Sequence, residues 1–128
     1  MRLAFKIASL ALALTTTLVS AELPKVTDST YQSAVLSSPK YVLVEFVARD
    51  CDSCDSVEDR LEEIAPTYTA KLSIVKMDTA TCQVNPSQFN IQGFPALVLF
   101  FDNAFRAGLS GDLSKSQIRT FLDNNLPR

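Results

Sequence analysis

Tyr41-Val42-Leu43-Val44-Glu45-Phe46-Val47 is apolar at every position but one, and it runs almost directly into Cys51-Asp52-Ser53-Cys54. A near-continuous apolar run rich in valine suits a central strand buried on both faces. After the cysteines, Val57, Leu61, Ile64 and Tyr68 recur at helical spacing, so the cysteine pair falls where a buried strand ends and a helix begins. Leu72 to Met77 reads as the next strand. Strand, helix and strand at this spacing form a βαβ unit, with parallel strands and a right-handed crossover. Two cysteines separated by two residues can close a small disulfide ring or coordinate a metal. At a helix N-terminus they gain more, because the exposed N–H groups and the positive end of the dipole favour the thiolate, the reactive form of cysteine.

The flanking segments complete an α/β pattern. Thr27-Asp28-Ser29 is a cluster of good helix caps, Tyr31, Ala34 and Val35 follow at helical spacing, and Pro39 forbids continuation past Ser38. Residues before Thr27 give only slight support for a short strand. Pro66 is predicted to bend or end the second helix near its last turn. Asn85-Pro86 pairs an N-cap with proline at the first helical position, which predicts a short helix around Ser87 to Asn90. Gly93-Phe94-Pro95 is a turn, and Ala96 to Phe101 a buried strand. Asp102-Asn103 is a tight turn, with Phe105 to Leu109 returning as a hairpin partner. Ser114 and Gln117 form a capping box ahead of a helix striped with Ile118, Phe121, Leu122 and Leu126.

Two ionisable residues do not fit a plain core. Glu45 lies mid-strand, where a carboxylate is costly unless neutral or partnered; it is either buried at a functional site or at the strand's end in water. Lys76, near the end of the second strand, can approach Glu45 on the neighbouring strand or reach solvent. Glu58, Asp59, Glu62 and Glu63 fall between the apolar positions of the second helix and read as its solvated face.

Residues 1–21 have the pattern of an export signal: Arg2 and Lys6, then the mostly apolar stretch Ile7 to Val19, then small residues at Val19-Ser20-Ala21. The apolar stretch is short for a membrane anchor, which needs about 20 residues, and it contains Thr15, Thr16 and Thr17. The expected domain is therefore residues 22–128, long enough for one core. The formal charge of −2 becomes about −4 without Arg2 and Lys6, which argues against a nucleic-acid partner. An exported chain leaves the reducing cytosol, so disulfides can persist. Cysteine occurs at Cys51, Cys54 and Cys82 and histidine is absent, so a zinc site would lack paired ligand spacing at Cys82.

The chain resembles the thioredoxin family, and is similar both to thioredoxins and to the catalytic domain of protein disulfide isomerases. The resemblance rests on Val42-Leu43-Val44-Glu45-Phe46, Cys51-Asp52-Ser53-Cys54, Val75-Lys76-Met77-Asp78, Gly93-Phe94-Pro95 and Gly111-Asp112-Leu113-Ser114-Lys115, in that order and covering the chain after the leader. It implies a thioredoxin fold, a central mixed β-sheet flanked by helices. It implies thiol–disulfide oxidoreductase activity on protein thiols and disulfides, with no cofactor and no metal. By the same resemblance Cys51 matches the exposed attacking cysteine and Cys54 the resolving one, the two forming a disulfide. Glu45 matches the buried acid that moves protons for Cys54, and Lys76 the lysine near it. Pro95 matches a cis proline facing the disulfide, with Phe94 offering backbone to a bound peptide.

The departures from the family are concentrated at the thiols. Asp50 stands where the family has tryptophan, Asp52-Ser53 where it has Gly-Pro or Gly-His, and Asp59 where it has a helix-bending proline. Asp50, Asp52 and Asp55 crowd the sulfurs with only Arg49 as a nearby counter-charge, which disfavours a thiolate. The main expectation is a monomeric oxidoreductase, secreted or in the secretory pathway, with an ER lumen or a bacterial periplasm both compatible, and without a membrane anchor once the leader is cleaved. The alternative is a non-enzymatic interaction module of the same fold, in which Cys51–Cys54 is structural.

Overall fold

The structure is a computed structural model and describes residues 22–128. The export signal expected over residues 1–21 lies outside the described residues. The elements are α1 (Asp28–Tyr31), continued by a π-helical turn over Gln32–Leu36, then β1 (Tyr41–Val47), α2 (Cys54–Tyr68) and β2 (Leu72–Asp78). A 3-10 turn (Pro86–Phe89) leads to β3 (Ala96–Phe101), β4 (Ala104–Ser110) and α3 (Lys115–Asn125). The order is the one the sequence predicts. The sheet is mixed, with strand order β2-β1-β3-β4. β1 and β2 are parallel, as the βαβ spacing requires, while β1–β3 and β3–β4 are antiparallel.

β1 is buried on both faces because each face meets a separate apolar cluster. Leu43 packs with Val57, Leu61 and Ile64 of α2 and with Ile118 and Leu122 of α3. Val42, Val44 and Phe46 point the other way, into a cluster with Val35, Val75, Met77, Val98 and Phe100. The strand period of two therefore assigns Glu45 to the same side as Leu43, under α2.

The first helix departs from a simple α-helix. It widens so that Ser37 N–H donates to the Gln32 carbonyl at 2.8 Å, and its Leu36 carbonyl accepts from Asn103 N–H on the β3–β4 turn at 3.0 Å. A tertiary partner thus satisfies one of the carbonyls that a helix end leaves free. Pro66 lies inside α2, which ends two residues further on at Tyr68, so the proline falls in the last turn as predicted. That close to the terminus, proline forfeits one intrahelical bond. The slight strand signal before Thr27 is a single parallel bridge, Lys25 to Lys76, which covers the outer edge of β2. Asp102 and Asn103 take φ of 54° and 61°, the paired left-handed conformation of a two-residue hairpin turn. Among the described residues no helix is long and apolar enough to cross a membrane.

Candidate functional site

Cys51 and Cys54 are joined by a disulfide with their Cα atoms 5.5 Å apart. Cys54 is the first residue of α2 and is buried, 5% exposed, while Cys51 lies just ahead of the helix and is half-buried. The first backbone bonds of the turn fix that difference: Cys54 N–H donates to the Cys51 carbonyl and Val57 N–H to the Ser53 carbonyl. Cys51 is therefore the more exposed residue of the pair and Cys54 the buried one. Cys82 is a free thiol: half-buried, it packs against the cluster on the Phe46 side, its Sγ 3.9 Å from the Val26 carbonyl. Among the described residues no group of three or more histidine, cysteine or acidic side chains is arranged to hold a metal.

The loop that carries Cys51 is charged and open to water. Arg49, Asp50, Asp52 and Asp55 are exposed, and none of them takes part in a salt bridge among the described residues. Asp50 has φ of 57°, a left-handed conformation that aspartate tolerates better than most side chains. The aspartates that depart from the family pattern thus form a solvated acidic rim beside the disulfide.

Sheet register brings the Phe94-Pro95 turn to the same end of the sheet. Phe46 pairs with Ala96, the first residue of β3, so Pro95 comes level with the exit of β1 toward Cys51. The Phe94–Pro95 peptide bond is cis, Pro95 is buried, and its carbonyl accepts from Gly111 N–H at 3.0 Å. Phe94 is half-buried.

Glu45 is fully buried, and neither carboxyl oxygen has a hydrogen-bond partner among the described residues. Burial pushes its pKa from 4.5 up to about 8; the Glu58 carboxylate adds to the rise and Lys76 opposes it. The reading in which Glu45 reaches water at a strand end is thereby excluded. Lys76 pairs with Glu45 in the β1–β2 register and approaches it closely enough to oppose the rise of its pKa, yet its ammonium hydrogen-bonds elsewhere. It donates to Glu58 Oε1 at 2.7 Å, in a pair whose side chains are 20% and 13% exposed. The bond to Glu58 holds the Lys76 pKa above its ordinary value.

Glu58 is the functional candidate that the sequence reading misplaced. Assigned to the solvated face, it lies instead one turn beyond Cys54 on α2, beside the buried Val57 and Leu61. The signal that could have found it is the four-residue step from Cys54, which puts both side chains on one helix face. Asp59 and Glu63 are exposed as expected, and Glu62 is half-buried.

Comparisons with known proteins bear on this arrangement. The Thioredoxin family model matches residues 22–124. "Thioredoxin C-2" of Corynebacterium nephridii is 34% identical over 108 residues, covering 84% of this chain and all of the relative. The "Thioredoxin" of Pseudomonas aeruginosa is 35% identical over 108 residues with the same coverage. That of Acidithiobacillus ferridurans is 39% identical over 101 residues, 79% of this chain and 94% of the relative.

Proposed function

The chain belongs to the thioredoxin family, and on that premise we propose that it is a thiol–disulfide oxidoreductase of protein substrates. The observation that carries the reading is the Cys51–Cys54 disulfide at the start of α2, with Cys51 half-buried and Cys54 buried. In the reducing direction, the Cys51 thiolate attacks one sulfur of a substrate disulfide. The substrate S–S bond breaks, its other sulfur leaves as a thiolate, and Cys51 is joined to the substrate in a mixed disulfide. In the fraction of molecules whose Glu45 is ionised, which grows as pH approaches about 8, Cys54 then gives its proton to that carboxylate and attacks Cys51 Sγ. The second substrate thiolate leaves and the Cys51–Cys54 bond re-forms, so two electrons have passed to the substrate. Phe94, beside the buried Pro95, offers its backbone to the substrate chain.

The same reading takes the protein as a monomer that works in the secretory pathway or outside the cell, without nucleic acid. The leader pattern in residues 1–21 supports the location, and the acidic balance supports the lack of a nucleic-acid partner. Reduction potential and the rate of insulin disulfide reduction test the activity together. A disulfide that cycles with dithiothreitol and accelerates insulin reduction above the dithiothreitol background is expected. A disulfide that stays closed, with no acceleration, would instead make Cys51–Cys54 a structural brace of a binding module.

A further inference from the structure

The proposed proton transfer leaves one buried arrangement unexplained. Glu45 and Lys76 are register partners on adjacent parallel strands, and both side chains lie on the α2 side of the sheet. An isolated carboxylate and an isolated ammonium so placed should pair, since an opposite charge within a few ångströms is the cheapest relief for a buried ion. They do not: Lys76 Nζ is 2.7 Å from Glu58 Oε1, while both Glu45 oxygens lack a partner among the described residues. The groups facing Glu45 can be assigned element by element. From α2 come Asp55, Glu58 and Glu62, and from β2 comes Lys76. From the segment before α1, Glu22 lines the same acidic groove as Asp55, Glu58, Asp59, Glu62 and Lys76. From β3, the register partner is Leu97, which carries no charge. Lys76 is the one cation in that set.

We infer that Glu58 is a positioning residue: by holding the Lys76 ammonium in its own hydrogen bond, it weakens the counter-charge that Lys76 offers Glu45 and so sets the pH at which Glu45 exchanges its proton with Cys54. The placement suits that role. Glu58 is four residues from Cys54, so the clamp shares a face of α2 with the residue whose proton is moved. Without the Glu58 charge, two effects act in the same direction. Glu45 loses a repelling neighbour, and the Lys76 charge is no longer neutralised, so ionised Glu45 is favoured and its proton leaves at lower pH. Glu45 would then be a weaker proton donor when an external thiolate opens the Cys51–Cys54 bond and Cys54 leaves as a thiolate. It would be an available base over a wider range in the opposite direction. This inference rests on the oxidoreductase reading for its consequence, but its first readout does not depend on activity.

That readout is the titration of the Glu45 side-chain carboxyl carbon in the full protein, followed by 13C NMR and assigned with Glu45→Gln. In Glu58→Gln, which keeps the side chain's shape, the Glu45 midpoint should fall by about one pH unit or more. The pH profile of disulfide exchange should move down with it. Glu58→Ala, which removes the acceptor altogether, should shift the midpoint in the same direction and serves if the glutamine variant folds poorly. A Lys76→Met background separates positioning from bare repulsion: there, Glu58→Gln should lose more than half of its effect. An unchanged or higher Glu45 midpoint in both Glu58 variants, or an undiminished effect without Lys76, would overturn the inference. A shifted midpoint in a protein that fails to reduce insulin would leave the inference standing and remove the oxidoreductase reading.

Discussion

Replacing Glu45 with glutamine should make stability less dependent on pH, and the size of the change follows from burial. The folded protein holds the Glu45 proton until about pH 8, whereas the unfolded chain releases it near 4.5. Between those values the folded state carries the extra proton, so stability falls as pH rises; below and above the window Glu45 adds no slope. Each pH unit inside the window costs about 1.4 kcal/mol. By pH 7 the wild type should therefore have lost on the order of 3 kcal/mol relative to its value near pH 4.5, from Glu45 alone. That is a large share of the roughly 5–15 kcal/mol a domain possesses. Glu45→Gln preserves the volume, so no cavity term intrudes, and its amide adds an offset that does not vary with pH. Urea unfolding of both proteins at half-unit steps from pH 5 to 9 gives the difference directly. The variant should gain on the wild type steadily up to about pH 8 and then level off. A flat difference, or one that narrows with rising pH, would show that Glu45 is ionised in the folded protein at neutral pH and would refute the buried-acid argument.

The acidic rim and the lone cysteine give two further expectations. Replacing Asp50, Asp52 and Asp55 together with asparagine removes exposed like charge near the reduced thiols, which should lower the Cys51 pKa. It should raise the reduction potential by about 30 mV or less, with the change shrinking in high salt; equal potentials in glutathione buffers would make the aspartates a solvated surface only. Cys82→Ser should leave the rate of insulin reduction within about twofold, because no step in the exchange uses that sulfur. Loss of most of the rate would mean that the mechanism omits a thiol.

The parts of the fold legible in the sequence are those where local chemistry and tertiary demand agree. β1 and β3 keep the bounds that their apolar runs mark, Asp102-Asn103 makes the hairpin turn, and Ser114 with Gln117 caps α3. The cysteine pair could be placed at a helix start because strand and helix periodicities meet there. The π-helical widening of Gln32–Leu36 was not legible, since its end is fixed by Asn103, which is distant in sequence. Glu58 was misread for a related reason. Helical periodicity separates an apolar stripe from a polar face, but a carboxylate at the border can serve either, and only the position of Lys76 on β2 decides it. The same contact explains why Lys76 could not be assigned from β-strand pairing alone: its register partner is Glu45, while its hydrogen-bond partner comes from the helix above.

The division of labour between the two sulfurs is tested most directly by trapping. With a disulfide-bonded protein such as insulin, reduced Cys54→Ser should accumulate a covalent mixed disulfide through Cys51, because the attack can occur and the resolving thiol is gone. Reduced Cys51→Ser, in which Cys54, the buried member of the pair, remains, should accumulate little or none through Cys54. Mass spectrometry of the acid-quenched mixtures identifies the linked cysteine. Trapping through Cys54 in the Cys51→Ser protein, with none through Cys51 in the other, would reverse the assigned roles; no adduct with either variant would contradict the proposed exchange altogether.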